Sequence, residues 1–111
     1  MSDEASIVAR LAAVIRQRHA ERPAGSYTVE LFEAGHATIS SKVIEEAYEL
    51  IATVGEDDDP NRADVAHEAA DVIYHLLVFL AAAGVDWCSV ERELQTRFGV
   101  SGLAERARRP L

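Results

Sequence analysis

Residues 64–84 read DVAHEAADVIYHLLVFLAAAG, a stretch that is apolar on nearly every side of a helix except one. At about 3.6 residues per turn, Asp64, Glu68, Asp71 and His75 fall in one narrow strip, by steps of four, three and four. Val65, Val72, Ile73, Leu76, Leu77 and Leu80 cover most of the rest. A helix apolar almost all round is a central one. Carboxylates in that setting cost several kcal/mol each unless something pairs with them. A second acidic block, Glu45-Glu46-Ala47-Tyr48-Glu49, stands one helix upstream. Two acidic strips on neighbouring helices make a cation site the simplest explanation.

The remainder of the chain shows few strand signals and several helix patterns. A helix is expected over 3–19, with Ile7, Leu11, Val14 and Ile15 at helical spacing, and a break follows at Glu21-Arg22-Pro23-Ala24-Gly25. Ser26 suits the cap of a short helix over 27–33, which Gly35 ends. The first long helix is expected over 37–54, with Gly55 in its C-terminal cap. After the acidic linker, Asp59 followed by Pro60 reads as an N-cap with proline at the first helical position. The second long helix then runs to Ala83 and stops at Gly84. Asp86 suits the cap of a last helix to about Arg97, with Val90 and Leu94 inward, and 99–111 reads as a short helix or loose tail. The expectation is one all-α domain spanning 1–111, a bundle of about four helices built on two long central ones. So short a chain cannot cover every apolar side of the second long helix, so a homodimer is expected to complete the core.

At 111 residues, with 49% hydrophobic and 27% charged, the chain is an ordinary globular domain. Its net charge of -8 argues against nucleic acid or an anionic membrane as partner. It leaves a phosphorylated substrate open, because a bound divalent ion inverts the local field. One cysteine, Cys88, excludes an intrachain disulfide and fits a reducing cytoplasm. No basic region followed by an apolar run opens the chain, so no secretory signal is expected. The longest apolar run, 76–85, is too short to span a bilayer.

Glu46 and Glu49 are three residues apart, as are Glu68 and Asp71, so each pair lies one turn apart on one helix face. If the two long helices pack antiparallel, the pairs converge. Four carboxylates, with no cysteine and no suitably spaced histidine, describe a hard cation: magnesium, or manganese, with positions left for water and substrate phosphates. On the first long helix, Val43, Ala47, Leu50, Ile51 and Val54 form the apolar face, Lys42, Glu45 and Glu49 lie opposite, and Glu46 sits at the border. A Lys42–Glu46 surface pair contributes only about 0.2–0.5 kcal/mol, too little to offset three crowded carboxylates if any is buried. Glu45 reads equally well as a solvated charge. His75 reads as a group that orients a carboxylate or touches substrate, or as a satisfied core histidine. Tyr74 packs, its hydroxyl partnered. Arg106, Arg108 and Arg109 read as a solvated tail.

The Glu-Glu-x-x-Glu block followed by Glu-x-x-Asp resembles the all-α nucleoside triphosphate pyrophosphohydrolases of the MazG-type superfamily. Arg22-Pro23-Ala24-Gly25-Ser26-Tyr27-Thr28, then Gly35, Lys42-Val43-Ile44-Glu45-Glu46-Ala47-Tyr48-Glu49, and Glu68-Ala69-Ala70-Asp71-Val72-Ile73-Tyr74-His75-Leu76-Leu77-Val78 resemble, more narrowly, the phosphoribosyl-ATP pyrophosphohydrolase family. Ile44 stands where that family often has glycine. The resemblance covers roughly 11–97 and includes no cyclohydrolase segment, so the single-function form is expected. It implies that Glu46, Glu49, Glu68 and Asp71 hold magnesium, and that Glu45 is a further ligand or the base that activates water. Catalysis would then fall to Glu45 and Glu46, and substrate binding to Lys42, Tyr27 and His75. The implied reaction is water attack between the α and β phosphates of phosphoribosyl-ATP, the second step of histidine biosynthesis. Two alternatives stand beside it: a house-cleaning (deoxy)nucleoside triphosphate pyrophosphohydrolase, and a non-enzymatic helical dimerisation module.

Overall fold

Local capping chemistry sets most of the helix boundaries. A computed structural model describes residues 5–55 and 59–99, and every regular element among them is a helix. In order these are α1 (Ile7–Glu21), α2 (Tyr27–Ala34), α3 (His36–Ala52), α4 (Arg62–Ala82) and α5 (Trp87–Gly99). Ser6 and Ser26 accept hydrogen bonds from the backbone N–H of Ala9 and Val29, starting α1 and α2. The described residues hold five helices, not the expected four or so, because α2 is an element in its own right. Its Val29, Leu31 and Phe32 are all buried.

The start of α4 differs from expectation. Asn61, not Asp59, is the N-cap, and its Oδ1 accepts from Asp64 N–H at 3.1 Å. Asn61 is as good a cap as aspartate, and starting there places Asp64 in the first turn, where the helix N-terminus favours negative charge. The end of α4 is as expected. Val85 N–H bonds to Leu80 O at 2.9 Å and Gly84 N–H to Ala81 O at 3.1 Å, a Schellman closure with Gly84 at φ 77°. α3 stops two residues early, at Ala52, where the Thr53 hydroxyl donates to Leu50 O at 2.6 Å. The segments expected at 3–4 and 100–111 lie outside the described residues.

One core cluster joins Ile15, Leu31, Phe32, Ile39, Leu77 and Val78, with Tyr74, Phe79 and Trp87 packed against it. α4 is central: it packs on α1, α2 and α3, and its interface with α3 is the largest in the fold. The apolar face assigned to α3 needs correction. Its buried positions are Ile39 and Glu46, while Ile51 and Val54 are exposed. On α1 only Ile15 is buried, and Ile7 and Val14 are exposed, as is Leu94 on α5. Periodicity reports which side of a helix is apolar, and only part of that side is covered by the neighbouring helices: Leu11 and Ile15 of α1 join the core, and Val43, Ala47 and Leu50 of α3 are half-buried. By length and composition α4 is long and apolar enough to cross a bilayer, which the apolar run alone did not suggest. Here it is the helix on which α1, α2 and α3 pack.

Candidate active site

The two acidic strips meet the fold differently. On α4, Glu68 and Asp71 are half-buried, and each offers a carboxylate oxygen that lies within 4.8 Å of the other and of a ring nitrogen of His67. His67 Nε2 is 3.7 Å from Asp71 Oδ2. The expectation that no histidine is suitably spaced is therefore corrected. His67 precedes Asp71 by four, the spacing that brings helical side chains into contact, so the signal was in the sequence. Glu46 and Glu49, across on α3, are not part of this trio.

Glu46 occupies a core position, two turns beyond Ile39, and is buried. Burial of a carboxylate requires a partner, and Lys42 supplies it, with Nζ 3.5 Å from Glu46 Oε2. The same ammonium donates to Glu45 Oε1 at 3.3 Å. Glu45 and Glu49 are exposed. Lys42 is the only lysine in the chain. Partial burial pulls its pKa down, but the hydrogen bond to Glu45 and the field of Tyr27, Glu45 and Glu46 outweigh that, so it lies above the ordinary 10.5.

A third group of residues ties α2 to α4. His75, buried, places Nδ1 2.8 Å from the backbone oxygen of Asp71. A carbonyl only accepts, so Nδ1 carries the proton, and in the neutral ring Nε2 is the acceptor facing the Tyr27 hydroxyl at 3.5 Å. His75 is thus a satisfied core histidine, and it also meets the residue proposed to bind substrate. Tyr74 stands edge-on to His75, centroids 4.9 Å apart, and its hydroxyl pairs with Thr28 Oγ1 at 2.5 Å. These contacts span 46 and 48 residues of sequence, which is why spacing could not reveal them. Burial raises the Tyr74 pKa, against the opposing hydrogen bond from Thr28.

Lys42 and Tyr74 therefore both keep their protons longer in the folded chain than in the unfolded one. Stability from such groups is complete below their unfolded pKa values and is lost as pH rises through the folded ones. From neutral pH to about pH 10 the midpoint of urea unfolding is expected to hold steady, and above that to fall. Tyr74→Phe should lower the midpoint at neutral pH, through the lost Thr28 bond, yet make the alkaline decline shallower. An unchanged alkaline slope would count against the buried, partnered Tyr74.

The matches to known proteins cover these same segments. The family model for phosphoribosyl-ATP pyrophosphohydrolase matches residues 8–98. A phosphoribosyl-ATP pyrophosphatase of Rhodopirellula baltica is 46% identical over 101 residues, 91% of this chain and 84% of that protein. One from Cereibacter sphaeroides is 44% identical over 104 residues, 94% of this chain and 98% of that protein. The histidine biosynthesis bifunctional protein HisIE of Wolinella succinogenes is 41% identical over 100 residues, 90% of this chain but 42% of that longer protein. The chain belongs to the phosphoribosyl-ATP pyrophosphohydrolase family.

Proposed function

We propose that this chain hydrolyses phosphoribosyl-ATP to phosphoribosyl-AMP and pyrophosphate, the second step of histidine biosynthesis. The observation that carries this reading is the family match over residues 8–98, which takes in both acidic blocks and the Tyr27–His75 contact. The donor set fits a hard divalent cation: Glu68 and Asp71 already place oxygens close together, and further carboxylates stand on the adjoining helix. Glu68 and Asp71 from α4, with Glu46 and Glu49 from α3, would hold it. Bound magnesium, or manganese, would neutralise triphosphate charge and lower the pKa of the attacking water.

The remaining work belongs to side chains of this chain. Lys42 presents a fixed positive charge to substrate phosphate, oriented by Glu45 and Glu46. Glu45, exposed and held only by its bond to Lys42, would take the proton from water; Glu46, buried, would hold the lysine and the α3 side of the site. Tyr27 offers its hydroxyl oxygen to substrate while its proton is directed at His75 Nε2. The test is competition between phosphoribosyl-ATP and a panel of ribo- and deoxyribonucleoside triphosphates. A higher kcat/KM for phosphoribosyl-ATP than for every other triphosphate supports the reading. Preference for a deoxynucleotide would replace it with a house-cleaning role.

We also read the chain as a cytoplasmic homodimer with no nucleic-acid or membrane partner. Ile44, Tyr48 and Ile51 repeat along one face of α3 at 59%, 70% and 67% exposure. Ile44 also lines a shallow apolar groove with Val43, Leu76 and Phe79. A second copy would cover this face by an isologous pairing, in which each substitution counts twice. Ile51→Glu should weaken association by at least about tenfold, ~1.4 kcal/mol, read by sedimentation velocity. A wild-type monomer at micromolar concentration would contradict the dimer.

A further inference from the structure

We infer that His67 adds an imidazole ligand to the α4 carboxylates and shifts the metal preference of the site from magnesium toward manganese. The inference rests on the reading of Glu68 and Asp71 as metal ligands and concerns a residue that reading does not require. His67 Nε2 stands 3.7 Å from Asp71 Oδ2, and one ring nitrogen of His67 and one carboxylate oxygen each of Glu68 and Asp71 all lie within 4.8 Å of one another. An octahedral ion with bonds of about 2.1 Å sets neighbouring ligands about 3 Å apart and opposite ones about 4.2 Å apart. The His67–Asp71 separation of 3.7 Å falls between those two spacings, while the limit of 4.8 Å for the trio is wider than either, so the side chains must draw together around an ion. At 73% side-chain exposure, the imidazole is free to close what remains by rotation.

The chemistry of the trio differs from that of an all-carboxylate site. Magnesium takes oxygen ligands and gives up its waters reluctantly, so an imidazole adds little to its binding. Manganese also accepts oxygen but, as a first-row transition ion, binds an imidazole nitrogen more strongly than magnesium does, so one nitrogen among carboxylates raises its affinity relative to magnesium. Helix geometry fixes the arrangement: positions 67, 68 and 71 lie within little more than one turn of α4. The plainer account of His67 is a surface pair with Asp71 at i,i+4, worth about 0.2–0.5 kcal/mol. Such a pair makes no prediction about metal choice, and that difference separates the two accounts.

The test titrates metal-free full-length protein with manganese and with magnesium, by calorimetry and without substrate, for wild type, His67→Ala and Asp71→Asn. Pulsed electron paramagnetic resonance on the manganese complexes then reads nitrogen coupling directly. The expected result is that His67→Ala weakens manganese binding at least about tenfold, leaves magnesium within about twofold, and loses the nitrogen coupling seen in wild type. Far-UV circular dichroism should show the helix intact, since alanine is the strongest helix former and the position is exposed. Unchanged manganese affinity, or no nitrogen coupling in wild type, overturns the inference. The two failures are separable. If Asp71→Asn abolishes binding while His67→Ala does not, only the role of His67 falls. If neither variant alters binding, or wild type binds neither ion, the metal assignment of the strip falls as well.

Discussion

Asp71→Asn is expected to lower kcat for phosphoribosyl-ATP by about 10²–10³-fold, the scale on which single charge-stabilising groups act in a pre-organised site, and to leave the fold unchanged. Asparagine keeps the volume and shape of the side chain and removes only its charge. The contact that anchors His75 uses the backbone oxygen of Asp71, so it survives the substitution, and with it the approach of Tyr27. Loss of activity therefore cannot be ascribed to collapse of the α2–α4 junction. Steady-state kinetics with thermal unfolding of the same preparations checks both halves. Near-normal turnover would remove Asp71 from the site, and a large drop in Tm would make it a structural residue.

Lys42→Met should lower kcat/KM by about 10²-fold, mainly through KM, because a charged hydrogen bond to phosphate is worth roughly 1.5–3 kcal/mol. The same substitution leaves Glu46 buried without its cation, so a fall in Tm is expected alongside. Lys42→Arg restores charge on a longer, planar head and should recover stability better than activity. Since no other lysine exists in the chain, amine-selective acylation offers an independent check. Substrate should protect Lys42 from the reagent. A Lys42→Met variant with unchanged KM would show that the ammonium serves Glu45 and Glu46 alone.

The elements were legible in the sequence to the extent that their signals are local. Ser26 and Gly84 act within four or five residues of themselves, and the helix limits they imply are those observed. Where two local signals compete, as Asp59 and Asn61 do before α4, the sequence ranks them poorly, since both side chains cap well. The apolar faces were legible only as patterns. Ile51 and Val54 carry the periodicity of a core face, yet both stay exposed among the described residues. In the site, the acidic blocks stood out because charge on an apolar helix is costly. His67 lies off the strip of Asp64, Glu68, Asp71 and His75, next to Glu68, and meets Asp71 only through its i,i+4 spacing. Thr28 with Tyr74, and Tyr27 with His75, are products of helix packing and have no counterpart in any local spacing.

Product identity under divalent metal decides whether phosphoribosyl-ATP is cleaved between its α and β phosphates. Purified protein, phosphoribosyl-ATP and magnesium or manganese would be followed by phosphorus NMR. The predicted result is pyrophosphate and phosphoribosyl-AMP appearing in equal amounts, with neither formed once chelator is added. Release of orthophosphate in place of pyrophosphate, or no turnover with either metal, would contradict it.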